Sequence, residues 1–223
     1  MNPLHIGDLS PDQRAAGTSF IRLCEGIGRV LRVTMMQPRI TGLEHVPITG
    51  GVLFAANHTH IVDGPMLFAV IDRPVSFYVK SEAFIGPLDP ILRRLGQIPV
   101  NRGVPERAPI VAALETLSAG GAVGVFPEGS RGSGAVASVQ RGIAYLAVRS
   151  GVPVVPVACV GSAKILTPHL PWRRPPVSIS FGRPVQIEPG ARASRPAISA
   201  AAEQIRAAMA ELLSESQVDG NER

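Results

Sequence analysis

Within Ala56-Asn57-His58-Thr59-His60-Ile61-Val62-Asp63-Gly64-Pro65, two imidazoles and a carboxylate follow directly on an apolar run, Val52 to Ala56. An imidazole is the side chain best suited to take a proton near neutral pH, and a neighbouring carboxylate can fix its tautomer. His58 and Asp63 lie five positions apart, one more than a helical i,i+4 pair. They can meet if His58 sits in a loop just ahead of a helix and Asp63 turns back toward it. Asp63-Gly64-Pro65 also reads as an ordinary helix start, an N-cap with an early proline. Taken alone, the stretch admits both readings.

Three further apolar runs end in charged or turn-forming residues. Tyr78-Val79-Lys80 carries Lys80 at its exit, Ile98-Pro99-Val100-Asn101-Arg102 carries Arg102, and Val125-Phe126-Pro127-Glu128-Gly129-Ser130-Arg131 carries Glu128 and Arg131. Each alone has a plain explanation. Glu128-Gly129-Ser130 can be a turn whose glycine takes positive φ, and Arg102 and Arg131 can be solvated loop charges. Strand ends in a parallel sheet open on one rim, the usual place for chemistry in open α/β folds. A base with Lys80, Arg102 and Arg131 on such a rim describes a pocket for an anionic substrate that must lose a proton, since arginine holds phosphate through paired N–H donors.

The elements that must position these residues alternate along the chain. Strands are expected at Val52 to Asn57, Val75 to Lys80, Ile98 to Asn101, Ala122 to Phe126, Val154 to Val160 and Val177 to Phe181, with Arg39 to Gly42 as a short edge strand. Helices are expected at Met66 to Ile71, Pro90 to Leu95, Glu106 to Ser118, Arg141 to Arg149 and Ala197 to Leu213, two of them stopped by Gly120 and Gly151. The alternation predicts a single α/β domain, a largely parallel central sheet flanked by helices. Ahead of it, Ala15 to Met36 reads as a basic amphipathic helix with Phe20, Leu23, Ile27, Val30 and Leu31 on one face and Arg22, Arg29 and Arg32 opposite. Such a helix can lie in a membrane interface or pack on its own domain. The expected organisation is a membrane-associating segment at 1–37, a catalytic domain at 38–213 and a disordered polar tail at 214–223.

Composition narrows the partners. The 223 residues carry 22 Lys and Arg against 17 Asp and Glu, a formal net charge of +5, and Lys80 and Lys164 are the only lysines. Positive charge is therefore nearly all arginine, suited to phosphate or carboxylate. No basic run interleaved with aromatics appears, which ranks nucleic acid last among anionic partners. Cys24 and Cys159 stand far apart without a Cys/His cluster, so neither a zinc site nor a disulfide framework is indicated. No secretory signal and no apolar run of membrane-spanning length is seen.

The order Asn-His-x4-Asp, Gly-x-Ile-Pro-Val-x-Arg, Phe-Pro-Glu-Gly-Ser-Arg and Val-Pro-Val-Val-Pro-Val, from Asn57 to Val157, resembles the glycerolipid acyltransferase family. Its best-known members are the 1-acylglycerol-3-phosphate acyltransferases. Weaker similarity, in Gly42-Leu43-Glu44 and Gln140-Arg141-Gly142, extends over most of the chain beyond the first helix. The resemblance implies His58 as general base on the acceptor hydroxyl and Asp63 as its orienting carboxylate. Arg102 would bind the acceptor phosphate, Glu128 and Gly129 would shape the acceptor site, and Arg131 would add charge there. Asn57, Lys80 and Ser130 complete the expected substrate-binding set. The resemblance implies no metal and no bound cofactor, with acyl-CoA or acyl carrier protein as co-substrate and a lysophospholipid, first 1-acylglycerol-3-phosphate, as acceptor, or else glycerol-3-phosphate or another lysolipid. It places the protein peripherally on an anionic membrane surface, at the cytoplasmic face. The position two after His58, often Ser in this family, is His60 here, which bears on the acceptor. From other classes, His58, His60 and Asp63 could bind a metal in a hydrolase, or the fold could bind lipid without catalysis.

Overall fold

In a computed structural model of the protein, the structure describes residues 37–60, 62–101, 106–127, 141–162, 176–190 and 193–221. The expected helix Ala15 to Met36, and with it the 1–37 segment up to Gln37, lies outside them. Among the described residues seven strands form one sheet: β1 (Gln37–Thr41), β2 (Val52–Ala56), β3 (Val75–Lys80), β4 (Ile98–Val100), β5 (Ala122–Val125), β6 (Val154–Val160) and β7 (Pro176–Phe181). They lie in the order β1-β7-β6-β2-β5-β3-β4. Every pairing is parallel except that of β6 with β7. The C-terminal ends of β2, β3, β4, β5 and β6 therefore share one rim. Five α-helices among the described residues accompany the sheet: α1 (Asp63–Val70), α2 (Leu88–Arg94), α3 (Ala108–Ser118), α4 (Arg141–Ser150) and α5 (Arg195–Asn221).

β2 is the central strand, and all five of its residues are buried. An unbroken apolar run is what a strand covered on both faces requires. Alternation along it divides the core in two. Val52, Phe54 and Ala56 face Met66, Leu67 and Val70 of α1, together with Phe77 and Val155. Leu53 and Ala55 face the other way, toward Ala113 and Leu117 of α3, Ile143, Ala144 and Leu146 of α4, and Ile205 and Met209 of α5. With few aromatics available, both layers are filled mainly by Val, Ile, Leu and Ala.

Gly42, in the block Gly42-Leu43-Glu44, shows why glycine is needed there. Its φ is 74°, and a Cβ at that position would stand 2.0 Å from the Phe181 carbonyl oxygen. The turn it permits brings His45 Nδ1 to 2.9 Å from the same oxygen, tying the exit of β1 to β7.

Six of the expected strands agree with the observed ones to within a residue at each end, and the edge strand, expected from Arg39, begins two residues earlier at Gln37. The chain departs from expectation at its C-terminus, where 214–223 was expected to be a disordered tail. Instead α5 continues to Asn221. Leu213 and Ser216 are both buried, and the Ser216 hydroxyl donates to the Leu212 carbonyl at 2.8 Å. Packing carries this helix through a polar sequence, because a serine that returns its hydroxyl to the backbone can be buried without a lone polar atom. α1 also starts earlier than expected, at Asp63 rather than Met66.

Candidate active site

The site begins where the β2 ladder ends. The last rung is weak, Asn57 N–H to Val157 O at 3.4 Å. The Asn57 side chain takes over from it. Its Nδ2 donates to Cys159 O at 2.9 Å, and its Oδ1 accepts from Cys159 N–H at 2.6 Å. Both groups are buried, and the amide supplies one donor and one acceptor to match a backbone pair. Asn57 was expected to bind substrate. With 1% exposure and both ends of its amide used by β6, it is a structural clamp between adjacent strand ends.

The clamp fixes the start of the loop that carries the chemistry. His58 Nδ1 lies 3.1 Å from Asp63 Oδ2, so the five-residue spacing does bring the pair together. Asp63 turns its carboxylate back onto the loop. Oδ2 also accepts the backbone N–H of Thr59 at 2.8 Å and of His60 at 2.7 Å. No side chain caps the start of α1 by hydrogen bond. Asp63 therefore acts on the residues before it, and the simple N-cap reading gives way. The early proline is tolerated because the first-turn N–H groups of a helix have no intrahelical partner.

Burial by itself would raise the pKa of Asp63, whose side chain has no exposed surface. Hydrogen bonds from His58 and from the His60 and Thr59 N–H groups, together with the nearby Ser162 hydroxyl, outweigh it and hold the carboxyl below its ordinary value. Asp63 stays ionised, an acceptor for the Nδ1 proton of His58. That leaves Nε2 as the ring nitrogen that can take a proton, and the His58 side chain keeps 13% of its surface exposed. The ring is held from the side as well. It stacks on Phe126 at 4.3 Å and 28°, and Phe126 stacks on Phe77 at 5.7 Å and 17°.

Sequence reasoning missed Phe126 as an orienting group and missed Thr59 and Ser162. The hydroxyls of the last two are 2.7 Å apart across the β2 and β6 ends. Phe126 was visible as the last residue of an expected strand. Nothing in the linear spacing joins Thr59 to a serine 103 positions away. His60, the unusual residue of the motif, gives its N–H to Asp63 and has a buried Nδ1 without a partner among the described residues.

Lys80 stands at the same rim, two strands from β2, which is about 10 Å at the normal strand spacing. It is 47% exposed and lies 3.9 Å from Glu82, so it does not join the His58–Asp63 pair by contact. Arg102, Glu128, Gly129, Ser130 and Arg131 lie outside the described residues. The ends of the Arg102 loop are described: Asn101 Nδ2 donates to Glu106 Oε1 at 2.6 Å, closing it at the exit of β4. Among the described residues no group of three or more His, Cys, Asp or Glu side chains could hold a metal ion.

A family model described as Acyltransferase matches residues 37–160. Among curated proteins, the chain is similar to the 1-acyl-sn-glycerol-3-phosphate acyltransferase LPAT1, chloroplastic, of Arabidopsis thaliana. The two are 29% identical over 132 residues, 57% of this chain and 37% of that protein. It is also 28% identical over 125 residues to the 1-acyl-sn-glycerol-3-phosphate acyltransferase of Bacillus subtilis, over 55% of this chain and 62% of that protein. The matched part is thus less than two thirds of either relative's length. Among solved structures, the crystal structure of the 1-acyl-sn-glycerophosphate (LPA) acyltransferase PlsC from Thermotoga maritima superposes with a TM-score of 0.69 at 25% identity. That likeness covers 92% of this chain and 84% of the other. The family match runs over more than half of the chain, from the first residue of β1 to the last of β6, and the chain belongs to the glycerolipid acyltransferase family.

Proposed function

We propose that this protein transfers a fatty acyl group from a thioester donor, acyl-CoA or acyl carrier protein, to the free hydroxyl of 1-acylglycerol-3-phosphate. The observation that carries the reading is the His58–Asp63 hydrogen bond at the rim of the central strand. The names of the relatives on both comparisons support the acceptor. In this mechanism Nε2 of His58 takes the proton of the acceptor hydroxyl as its oxygen attacks the thioester carbonyl. The tetrahedral intermediate collapses with cleavage of the C–S bond, and the thiolate leaves with the proton from His58. A thioester is already activated, so aligning and deprotonating the hydroxyl is the main task. Asp63 stabilises the imidazolium as the carboxylate of a hydrolase triad does, with no serine nucleophile. Arg102 is proposed to hold the acceptor phosphate, with Arg131, Lys80, Glu128, Gly129 and Ser130 around it.

An acceptor that lives in a bilayer requires the rim to approach one, and we place the protein peripherally on an anionic membrane. Among the described residues no helix is long and apolar enough to cross a membrane. The basic amphipathic stretch Ala15 to Met36 is one proposed contact. A second is the segment leaving the β3 end of the rim. There α2 buries none of its residues, and Ile85, Leu88 and Ile91 are exposed beside Arg93 and Arg94.

The test is thiol release by purified protein from oleoyl-CoA, with lysophosphatidic acid, glycerol-3-phosphate or a phosphate-free lysolipid as acceptor, beside His58→Ala. Release that depends on His58 and on lysophosphatidic acid supports the reading. Release that survives His58→Ala, or no release from either CoA or carrier-protein donors with any acceptor, rejects it.

A further inference from the structure

The two oxygens of Asp63 are unequally served. Oδ2 receives three donors, His58 Nδ1–H and the N–H groups of Thr59 and His60. Oδ1 is equally buried and has no hydrogen-bond partner among the described residues. A buried carboxylate oxygen with no donor is a costly exception in a folded protein. Beside it, at the exit of β6, stands Ser162. Its side chain has no exposed surface, and its hydroxyl lies 2.7 Å from that of Thr59, with either oxygen able to donate. The hydroxyl is near enough to favour the ionised carboxylate without meeting it at hydrogen-bond distance and angle.

We propose that Ser162 is a positioning residue for the His58–Asp63 pair: its hydroxyl donates to Asp63 Oδ1 and accepts the hydroxyl proton of Thr59. A hydroxyl has one proton and two lone pairs, so Ser162 can serve both neighbours only in this direction. Thr59 is then bound to the carboxylate twice, directly through its N–H and through Ser162 by its hydroxyl. The Asn57–Cys159 clamp makes the arrangement stiff, because it fixes the β2 exit bearing Thr59 against the β6 exit bearing Ser162. With both oxygens held, the carboxylate cannot rotate about its χ2, and the direction in which it presents Oδ2 to His58 is set. Ser162 touches neither substrate nor reacting atoms.

For its activity readout this inference rests on the acyl-transfer reading, so its test includes one measurement that does not. The Nδ1 proton resonance of His58, followed by NMR, reports the hydrogen bond to Asp63 directly. In Ser162→Ala that resonance is expected to move downfield, since a carboxylate with one donor fewer is a stronger acceptor. The kcat for lysophosphatidic acid is expected to fall about tenfold, the size of one lost charge-assisted hydrogen bond, with both KM values within about twofold. Ser162→Thr, which keeps the hydroxyl, is expected to restore the resonance and most of kcat. Thr59→Val is expected to shift both in the same direction by less. A resonance and kcat unchanged in Ser162→Ala would overturn the proposal. Equal impairment in Ser162→Ala and Ser162→Thr with an unmoved resonance would also overturn it, as the signature of packing alone. Wild-type protein inactive with every acceptor would reject the acyl-transfer reading, leaving the resonance to decide the role of Ser162.

Discussion

The His58 imidazole lies nearly parallel to the Phe126 ring, centroids 4.3 Å apart. Phe126 is in turn stacked on Phe77, and Phe77 is the register partner of Gly124 on β5. A Cβ on Gly124 would stand 2.1 Å from Cε1 of Phe77. The absence of one side chain in the sheet thus permits the stack that orients the proposed base.

Gly124→Ala forces Phe77 to turn, at a cost of about 1–3 kcal/mol for an overpacked core. The disturbance passes through Phe126 to His58, so kcat should fall at temperatures where the variant is fully folded. Thermal melts run alongside kinetics separate the two effects. A folded variant with wild-type kcat would show that the stack does not govern the ring.

Asp63→Asn should lower kcat by about 10²–10⁴-fold. An amide cannot accept from the His58 Nδ1 and stabilise an imidazolium as a carboxylate does. Acceptor KM should change little, because Asp63 has no exposed surface to offer a substrate. A variant impaired only in KM would contradict the assignment.

Stability should depend on acid through the same group. The folded-state pKa of Asp63 lies below its ordinary value, which burial opposes and which hydrogen bonds from His58, His60 and Thr59, with the nearby Ser162 hydroxyl, produce. The unfolded chain therefore binds the proton first as pH falls. The contribution is fully present above about pH 4 and is lost as pH drops through the lowered folded value. Urea midpoints measured down this range should fall more steeply for wild type than for Asp63→Asn. Equal slopes would mean that Asp63 titrates alike in both states.

Asn57→Leu should destabilise the fold by about 2–4 kcal/mol, because it orphans the N–H and C=O of Cys159 in a buried place. Its signature is a lowered melting temperature with acceptor KM unchanged in the folded protein. A raised KM at unaltered stability would return Asn57 to the substrate.

Replacing Ile85, Leu88 and Ile91 together by Ser should weaken binding to anionic liposomes while leaving the melting temperature within a few degrees, since all three are exposed. Sedimentation with vesicles checks it. Unaltered binding would assign membrane contact elsewhere, to the amphipathic stretch before Gln37 first.

Sequence by itself determined the alternation of strands and helices and the burial of β2, and it allowed the pairing of His58 with Asp63 beside a plain helix-cap reading. Those features are local, written in runs of apolar residues and in a spacing that a loop-to-helix junction closes. The length of α5 escaped it, because Ser214 to Asn221 is polar, and the burial of Ser216 within that stretch is not written in any local pattern. Tertiary structure alone decided which side chains serve the fold and which serve the site. Asn57 and His58 are adjacent in sequence, yet one is spent on the backbone of β6 and the other faces the rim. Thr59 and Ser162, 103 positions apart, meet because β6 lies beside β2 in the sheet. Strand order is set by which faces bury together over the whole chain, and no local pattern records it.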